Sequence, residues 1–406
     1  MDEPGDALGG RAQRALALMG IAAVALAVAA GLYLHATGTK PPPPPPPALT
    51  SLDWLSPTTG WVVLTDRQSR SVLFHTEDGG RHWERQFATV AAGISVRFLD
   101  ARHGLMTEPP AFAGASQTLL RSDDGGDHWA PIALPFGVGT RSVTAFFLDL
   151  DHGWVVAGAG RSDTVEDAEV YRTDNGGLDW TSVASVDPIS WVSHGLREQG
   201  LKQWLWFRTP LDGWLGSLEA DGSASVYVTH DGGEHWRWSP LPVPPGGWSA
   251  GDALLLEPPR VSQAGDGALM LVDTTRLVPP PSDRLPEPRV EAPVVVYQTL
   301  DGGETWRDPA VAPAGADPRV TDPLFVDAAD GWLTAGGAVW LTADAGRTWD
   351  RHSRLPPGRL FGDLAPVDSR VAVAQSSAGR APGSDWSLVV TEDAGRTWRE
   401  LSRPQM

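Results

Sequence analysis

One eight-residue motif, which we call the box, occurs seven times in this chain of 406 residues. Each box begins with Thr or Ser and has Asp or Asn at its third position, Gly at its fifth and Trp at its eighth. Asp and Asn side chains accept hydrogen bonds from nearby backbone N–H groups, and Gly adopts positive φ without steric cost, so the box predicts a tight turn. The third and eighth residues are Asp78 and Trp83, Asp124 and Trp129, Asn175 and Trp180, Asp231 and Trp236, Asp301 and Trp306, Asp344 and Trp349, and Asp393 and Trp398.

The number of boxes favours a structural role, because an active site rarely recurs seven times in one chain. The final Trp of each box carries a large apolar ring that needs a buried position, and the core between neighbouring sheets would provide it. We therefore interpret the boxes as hairpin turns and assign them no catalytic, cofactor or metal-binding residue.

The spacing of the boxes predicts an all-β, seven-bladed propeller over residues 50–401. Successive box tryptophans lie 46, 51, 56, 70, 43 and 49 residues apart, which is room for about four short strands in each unit. A Gly-Trp motif recurs between boxes, as at Gly60-Trp61 and Gly153-Trp154, and short apolar runs precede every box. The approximate blades are 50–90, 91–137, 138–187, 188–242, 243–312, 313–356 and 357–401.

The N-terminal segment predicts a membrane anchor. Residues 15–34 form an uncharged apolar stretch of the length that spans a bilayer core, and Arg11 and Arg14 precede it. By the positive-inside rule, residues 1–14 are a cytoplasmic tail of a single-pass protein in the cytoplasmic membrane, with the propeller outside. A cleaved signal peptide is the alternative, since Ala27-Val28-Ala29 resembles a cleavage site. Residues 35–49 form a linker whose seven consecutive prolines adopt an extended polyproline II helix.

Charge and cysteine content exclude several classes of function. The formal net charge is −18, which disfavours nucleic acid as a partner. The absence of cysteine excludes disulfides, thiolate metal sites and Cys nucleophiles. His82, His128 and His235 occupy one box position that other copies fill with Thr or Asp, so they are predicted to be turn residues.

The boxes resemble the Asp-box, or BNR, repeat of sialidases and related propellers. Their combination with the Gly-Trp strand, in seven copies behind an N-terminal anchor, is similar to the photosystem II stability and assembly factor family and its non-photosynthetic bacterial relatives. That resemblance covers about residues 50–401 and implies a seven-bladed propeller that binds a protein partner without catalysis. Asp-box proteins also include glycosidases, so a glycoside hydrolase or carbohydrate-binding propeller is the alternative, with a glycan as ligand.

Enzymatic readings find little support in the residues. A sialidase would need a Tyr nucleophile. No tyrosine is a good candidate, because Tyr171, Tyr227 and Tyr297 all occupy the same repeat position, two residues before a box. Another glycosidase needs only two carboxylates, and no pair stands out from the sequence. Gly247-Trp248-Ser249-Ala250-Gly251 matches a hydrolase nucleophile pattern but lacks the strand before it and the helix after it.

The least repetitive region, in the fourth unit, provides the candidate recognition surface. It is rich in tryptophan, which supplies large contact areas at interfaces, although core packing is the alternative. We predict that the propeller recognises a protein at or near the membrane. The candidate residues are Trp191, Arg197, Trp204, Trp238 and Trp248.

Overall fold

The computed structural model describes residues 46–109, 117–136, 142–162, 165–186, 195–219, 221–244, 254–273, 294–312, 324–335, 338–355, 359–378 and 385–406. The predicted cytoplasmic tail, the apolar segment 15–34 and most of the proline linker lie outside these ranges. Within them the chain forms strands and turns, and none of it forms a helix long and apolar enough to cross a bilayer.

The described strands form seven antiparallel sheets, as predicted for a seven-bladed propeller. Each sheet uses strands that are consecutive in the chain, and each forms one blade. Blades 1 to 4 are four-stranded. Their strands are β1 (Ala48–Trp54), β2 (Gly60–Thr65), β3 (Ser71–Thr76) and β4 (Glu84–Thr89); β5 (Ser95–Phe98), β6 (Gly104–Glu108), β7 (Thr118–Ser122) and β8 (Ala130–Pro131); β9 (Ser142–Phe147), β10 (Gly153–Ser162), β11 (Val165–Thr173) and β12 (Thr181–Ser185); and β13 (Leu201–Phe207), β14 (Gly213–Leu218), β15 (Ala224–Thr229) and β16 (Arg237–Pro240).

Blades 5 to 7 repeat the pattern with one variation. In blade 5 the first strand is split in two, because Pro258 and Pro259 interrupt it and proline cannot donate to the ladder. The strands are β17 (Leu254–Leu256), β18 (Arg260–Val261), β19 (Gly267–Asp273), β20 (Val294–Thr299) and β21 (Arg307–Val311); β22 (Leu324–Phe325), β23 (Gly331–Ala335), β24 (Ala338–Thr342) and β25 (Asp350–Arg354); and β26 (Leu360–Pro366), β27 (Ala372–Ser377), β28 (Trp386–Thr391) and β29 (Arg399–Glu400).

All seven boxes adopt the same turn between the third and fourth strands of a blade. In the first box the Thr76 hydroxyl accepts the N–H of Gly80 at 2.9 Å, and Asp78 Oδ1 accepts the N–H of His82 at 2.9 Å. The fourth and fifth box residues both have positive φ, and Ala345 and Ala394 fill the fourth position in blades 6 and 7 at φ 59° and 60°. The fourth residue also donates its N–H to the turn between the first two strands of its own blade, as from Gly79 to Thr58 O at 2.9 Å.

The Gly-Trp motif holds neighbouring blades together. Trp61, on β2, is fully buried and stacks on Phe98 of blade 2 with ring centroids 3.6 Å apart, while its indole N–H donates to Gly125 O in the box of blade 2. Trp154 repeats this arrangement with blade 4. The glycine is required because a Cβ at Gly60 would lie 2.3 Å from the ring of Trp54 in the same blade.

The box tryptophans are less buried than the sequence suggested. Only Trp236 and Trp306 are buried, at 4% exposure each, whereas the other five are half-buried at the ends of the blades. Among the described residues, the fully buried tryptophans are instead the four of the Gly-Trp motif, namely Trp61, Trp154, Trp214 and Trp332. The indole that fills the core between blades therefore comes from the second strand, and the box Trp closes the edge of that core.

The ring closes by packing between blades 7 and 1, since each sheet is built from its own consecutive strands. Leu401 joins the core shared by blades 1 and 7. Ser402 N donates to Gly80 O at 3.2 Å, and the Trp83 indole N–H donates to Ser402 O at 2.8 Å. At the other end of the chain, Pro47 O accepts the indole N–H of Trp386 at 2.7 Å.

Candidate functional site

The blades of a propeller surround a central channel, and the first strands of neighbouring blades contact one another, as β1 contacts β5 and β26. One register position on these first strands is compared across the seven blades. This position pairs with the residue after the glycine that begins the second strand, or after Ala372 in blade 7. We call the seven residues the channel layer. In blade order they are Asp53, Arg97, Phe146, Trp206, Arg260, Leu324 and Ala365.

Asp53 joins the first strands of blades 1 and 2. Its Oδ2 accepts the backbone N–H of Phe98 at 2.5 Å, and two residues earlier Ser51 accepts the N–H of Val96 at 3.1 Å. Burial raises the pKa of Asp53 to about 6, because the effect of desolvation exceeds the opposing effects of the Phe98 N–H and the Arg97 charge. Asp53 is thus a desolvated carboxylate that is already committed to a backbone hydrogen bond.

Two arginines of the channel layer each lie over an aromatic ring, and these two rings are neighbours in the layer. The Arg97 guanidinium lies 5.0 Å from the ring centroid of Phe146, in the following blade. The Arg260 guanidinium lies 5.2 Å from the ring centroid of Trp206, in the preceding blade. Within the part of the chain that the structure describes, neither guanidinium forms a hydrogen bond or an ion pair.

The surroundings disfavour the charge of both guanidiniums. Desolvation by neighbouring protein atoms lowers the pKa of Arg97 although its side chain is still exposed to solvent, and the Asp53 carboxylate only partly opposes this effect. Burial also lowers the pKa of Arg260 to about 10, and the positive charge of Arg97 lowers it further, against a smaller attraction from Glu257. Arg208, which directly follows β13, contrasts with them because it donates to Ser262 O and to Asp212.

A carboxylate pair suited to glycoside hydrolysis is not found among the described residues of the channel layer. Asp53 is its only carboxylate, and it accepts a backbone N–H. The other described carboxyl group with a raised pKa, Asp330, lies in the turn after β22, where desolvation and then the Asp327 charge raise it. Asp327 itself accepts two backbone N–H groups of that turn.

The tyrosines and box histidines have structural environments. Burial raises the pKa of Tyr171 to about 12, and its hydroxyl donates to Glu169 at 2.7 Å. Tyr227 and Tyr297 are fully buried, which raises the pKa of each. His82 contacts the Asp78 carboxylate of its own box, as Thr305 contacts Asp301 in blade 5. Across the described ranges, no group of three or more His, Asp or Glu side chains could hold a metal ion.

The residues predicted for the recognition surface are only partly brought together. Trp191 and Trp248 lie outside the described residues. Trp204 is 8% exposed and packs in the core between blades 4 and 5, so it is a core residue rather than the surface ring that the sequence suggested. Arg197 and Trp238 do meet, with the guanidinium 3.5 Å from the ring centroid.

The loop that carries Arg197 is fixed by a buried lysine. Lys202 is 5% exposed, and its Nζ donates to the carbonyls of Arg197, Gln199 and Gly200. Arg197 therefore covers Trp238 from a rigid loop, and the covered face of this ring is closed to a ligand. The arginines of the channel layer, which the sequence did not predict, form no hydrogen bond or ion pair with the described residues.

Comparisons with known proteins show the fold. No protein-family model and no curated protein matches the sequence. A structure of YCF48 from Cyanidioschyzon merolae is similar over 87% of this chain and 97% of its own, with a TM-score of 0.51 and 17% identity. YCF48 bound to a D1 peptide is similar over 86% and 94%, with a TM-score of 0.50 and 17% identity. A PL25 ulvan lyase also resembles the chain over 88% and 96%, with a TM-score of 0.48 and 12% identity.

Proposed function

We propose that this protein is a non-enzymatic binding or assembly module, held outside the cytoplasmic membrane by its N-terminal segment, which recognises a protein partner. One observation carries the proposal. The channel layer presents two arginines without described acceptors, while its single carboxylate already accepts the N–H of Phe98. Such a wall can bind a ligand and lacks the acid and nucleophile or base that glycosidases use.

The comparison with YCF48 supports a protein as the partner. A propeller of this fold holds a D1 peptide in one of the similar structures. Fold likeness by itself does not transfer function. The proposal therefore rests on the charges of the channel layer, and the YCF48 complex adds that a peptide is a ligand this architecture accommodates.

The proposal is tested by crosslinking the full-length chain in intact membranes and identifying what is captured. We expect one protein to be captured reproducibly. The surface control Arg67→Gln should capture the same protein in the same amount as the wild-type chain does. Arg67 is exposed in the turn between β2 and β3 and does not belong to the channel layer. Failure to capture any protein under several crosslinking chemistries would contradict a protein-binding role.

The alternative, a glycoside hydrolase of the Asp-box type, makes a separate prediction. The purified chain would turn over a member of a glycoside panel, and Asp53→Asn would abolish that turnover, because Asp53 is the only carboxylate of the described channel layer. We expect no turnover from either protein. Turnover that is lost in Asp53→Asn would replace the proposal by the enzymatic alternative.

The membrane location is tested with a C-terminal alkaline phosphatase fusion, which is active only outside the cytoplasm. The full chain is expected to give active, membrane-bound phosphatase. A matched fusion lacking residues 15–34 should be inactive and absent from the membrane fraction. Active phosphatase released from the membrane would instead support the cleaved signal peptide.

A further inference from the structure

We propose that a groove on the outer part of blade 1 binds a fatty acid, with the carboxylate at Arg85 and the alkyl chain on the aliphatic side chains beside it. The groove has a volume of about 440 Å³, within the range of about 300–1,000 Å³ that is typical of small-molecule sites. It lies on the third and fourth strands of the blade, whereas the channel layer belongs to the first strands. The inference goes beyond the proposed function and does not depend on the protein partner.

The floor of the groove is aliphatic. Val72 on β3 pairs with Ala88 on β4, and Val90 and Met406 extend the same lining. Val90 is 82% exposed and Met406 is 44% exposed, so the groove keeps apolar surface in contact with water. Covering this surface with an alkyl chain is favourable in proportion to the apolar area that is removed from water.

Blade 1 differs from other blades at the floor position. Val72 stands four positions before the box of its blade. The residues at the same position in blades 3, 4 and 7 are Glu169, Ser225 and Ser387, and each of them forms a hydrogen bond through its side chain. Valine has no polar group for such a bond, so the floor in blade 1 suits an apolar ligand.

One end of the groove carries a cation that can receive a carboxylate. Arg85 is exposed and forms no hydrogen bond or ion pair with the described residues, whereas Arg70 donates from Nε to Asp66 Oδ2 at 2.7 Å. None of the described lining residues is acidic. Glu84 points to the opposite face of the sheet, because neighbouring residues of a strand alternate. Five residues separate Arg85 from Val90, about 16 Å at about 3.3 Å per residue, so the charge and the exposed valine lie at opposite ends.

A fatty acid matches this arrangement better than other amphiphiles do. Its carboxylate can accept two N–H groups of one guanidinium, and its single alkyl chain can cover the strip from Val72 to Val90. A long-chain alcohol would leave the charge of Arg85 without a counter-ion. A phospholipid would bring two alkyl chains to one strip of apolar side chains.

The test is photocrosslinking of the full-length chain, in phosphatidylcholine nanodiscs, with dodecanoate that carries a diazirine at its methyl end. Labelled residues are identified by peptide mass spectrometry, which separates the groove from the apolar segment 15–34. We expect labels at or near Val90 and Met406, and unlabelled dodecanoate should compete for them. Arg85→Gln should reduce this labelling by about tenfold. Arg67→Gln, which changes an exposed arginine outside the groove, should leave the labelling unchanged.

Dodecanol with the same diazirine is the comparison probe, and it should label the groove about tenfold less than dodecanoate does. This comparison uses the wild-type chain, and melting temperatures confirm that the variants are folded. Equal labelling by dodecanol, unchanged labelling of Arg85→Gln, or no label near Val90 would overturn the site. Labelling that added phosphatidylglycerol abolishes and added phosphatidylcholine does not would overturn the fatty acid in favour of an anionic phospholipid. A change of oligomeric state in Val90→Asp, measured by light scattering, would overturn it in favour of a second copy of the chain.

Discussion

Replacing Asp53 with Asn is expected to stabilise the propeller in a pH-dependent way. Burial raises the pKa of Asp53 from 3.8 to about 6 in the folded chain. Each pKa unit corresponds to about 1.4 kcal/mol between the two protonation states, so the charged carboxylate costs about 3 kcal/mol of stability above pH 7. Asn carries no charge, and its amide oxygen still accepts the N–H of Phe98. The variant should therefore be more stable by up to about 3 kcal/mol at pH 8.

The sign of the pH dependence follows from proton binding. Between pH 3.8 and about 6 the folded chain holds a proton on Asp53 that the unfolded chain has lost, so the contribution of this group to stability falls as the pH rises through that window. The advantage of Asp53→Asn should accordingly shrink between pH 7 and pH 4. Urea unfolding followed by tryptophan fluorescence at pH 8, 6 and 4 measures it, with the exposed Asp127→Asn as control. A variant that is destabilised at pH 8, or whose advantage does not change with pH, would refute the reasoning.

Three further predictions concern the fold. Trp61→Phe keeps a ring against Phe98 but leaves the Gly125 carbonyl without its donor, and should lower the free energy of unfolding by about 1–3 kcal/mol in urea titrations, more than the same change at half-buried Trp83. Ala345→Gly relieves a left-handed alanine and should raise the melting temperature, with a net gain of about 0.5–1 kcal/mol; no gain would contradict the strain. Deleting residues 401–406 removes the closing contacts of the ring and should lower the melting temperature and increase proteolysis, whereas an unchanged protein would show that the ring closes without them.

The box turns could be predicted from the sequence because their information is local. A hydroxyl, a carboxylate and two residues of positive φ lie within eight positions, and these groups bond mainly to one another. Counting the boxes then gave the number of blades. The burial of the box tryptophans was overestimated because the repeat contains two tryptophan positions, and the sequence pattern does not tell which of the two indoles is the more deeply buried. Trp61 and its equivalents, on the second strand, occupy the centre of the core between blades.

Part of the packing of each blade is visible in the sequence as a fixed spacing between an aromatic residue and a glycine. An aromatic residue stands six positions before the glycine that begins the second strand in five blades, as Phe98 stands before Gly104 and Phe147 before Gly153. The reason is steric, since the ring occupies the space that a Cβ at the glycine would need. This fixed spacing locates the end of each first strand and could have located the channel layer from the sequence.

The chemistry of the channel layer could not be predicted in the same way. Asp53, Arg97 and Arg260 belong to three different units, and no short motif connects them. Their proximity depends on the register of the first strands, and the interrupted first strand of blade 5 hides the position of Arg260. In a chain of net charge −18, the two arginines also leave no trace in the overall composition.

The central claim is that this propeller binds a protein and leaves it chemically unchanged. The most direct measurement purifies the crosslinking partner, incubates it with the full-length chain, and records the intact masses of both chains and of their native complex over time. We expect a complex of fixed stoichiometry in which both covalent masses stay constant. A partner that is released with an altered mass, through loss of a glycan or cleavage of its chain, would contradict the claim.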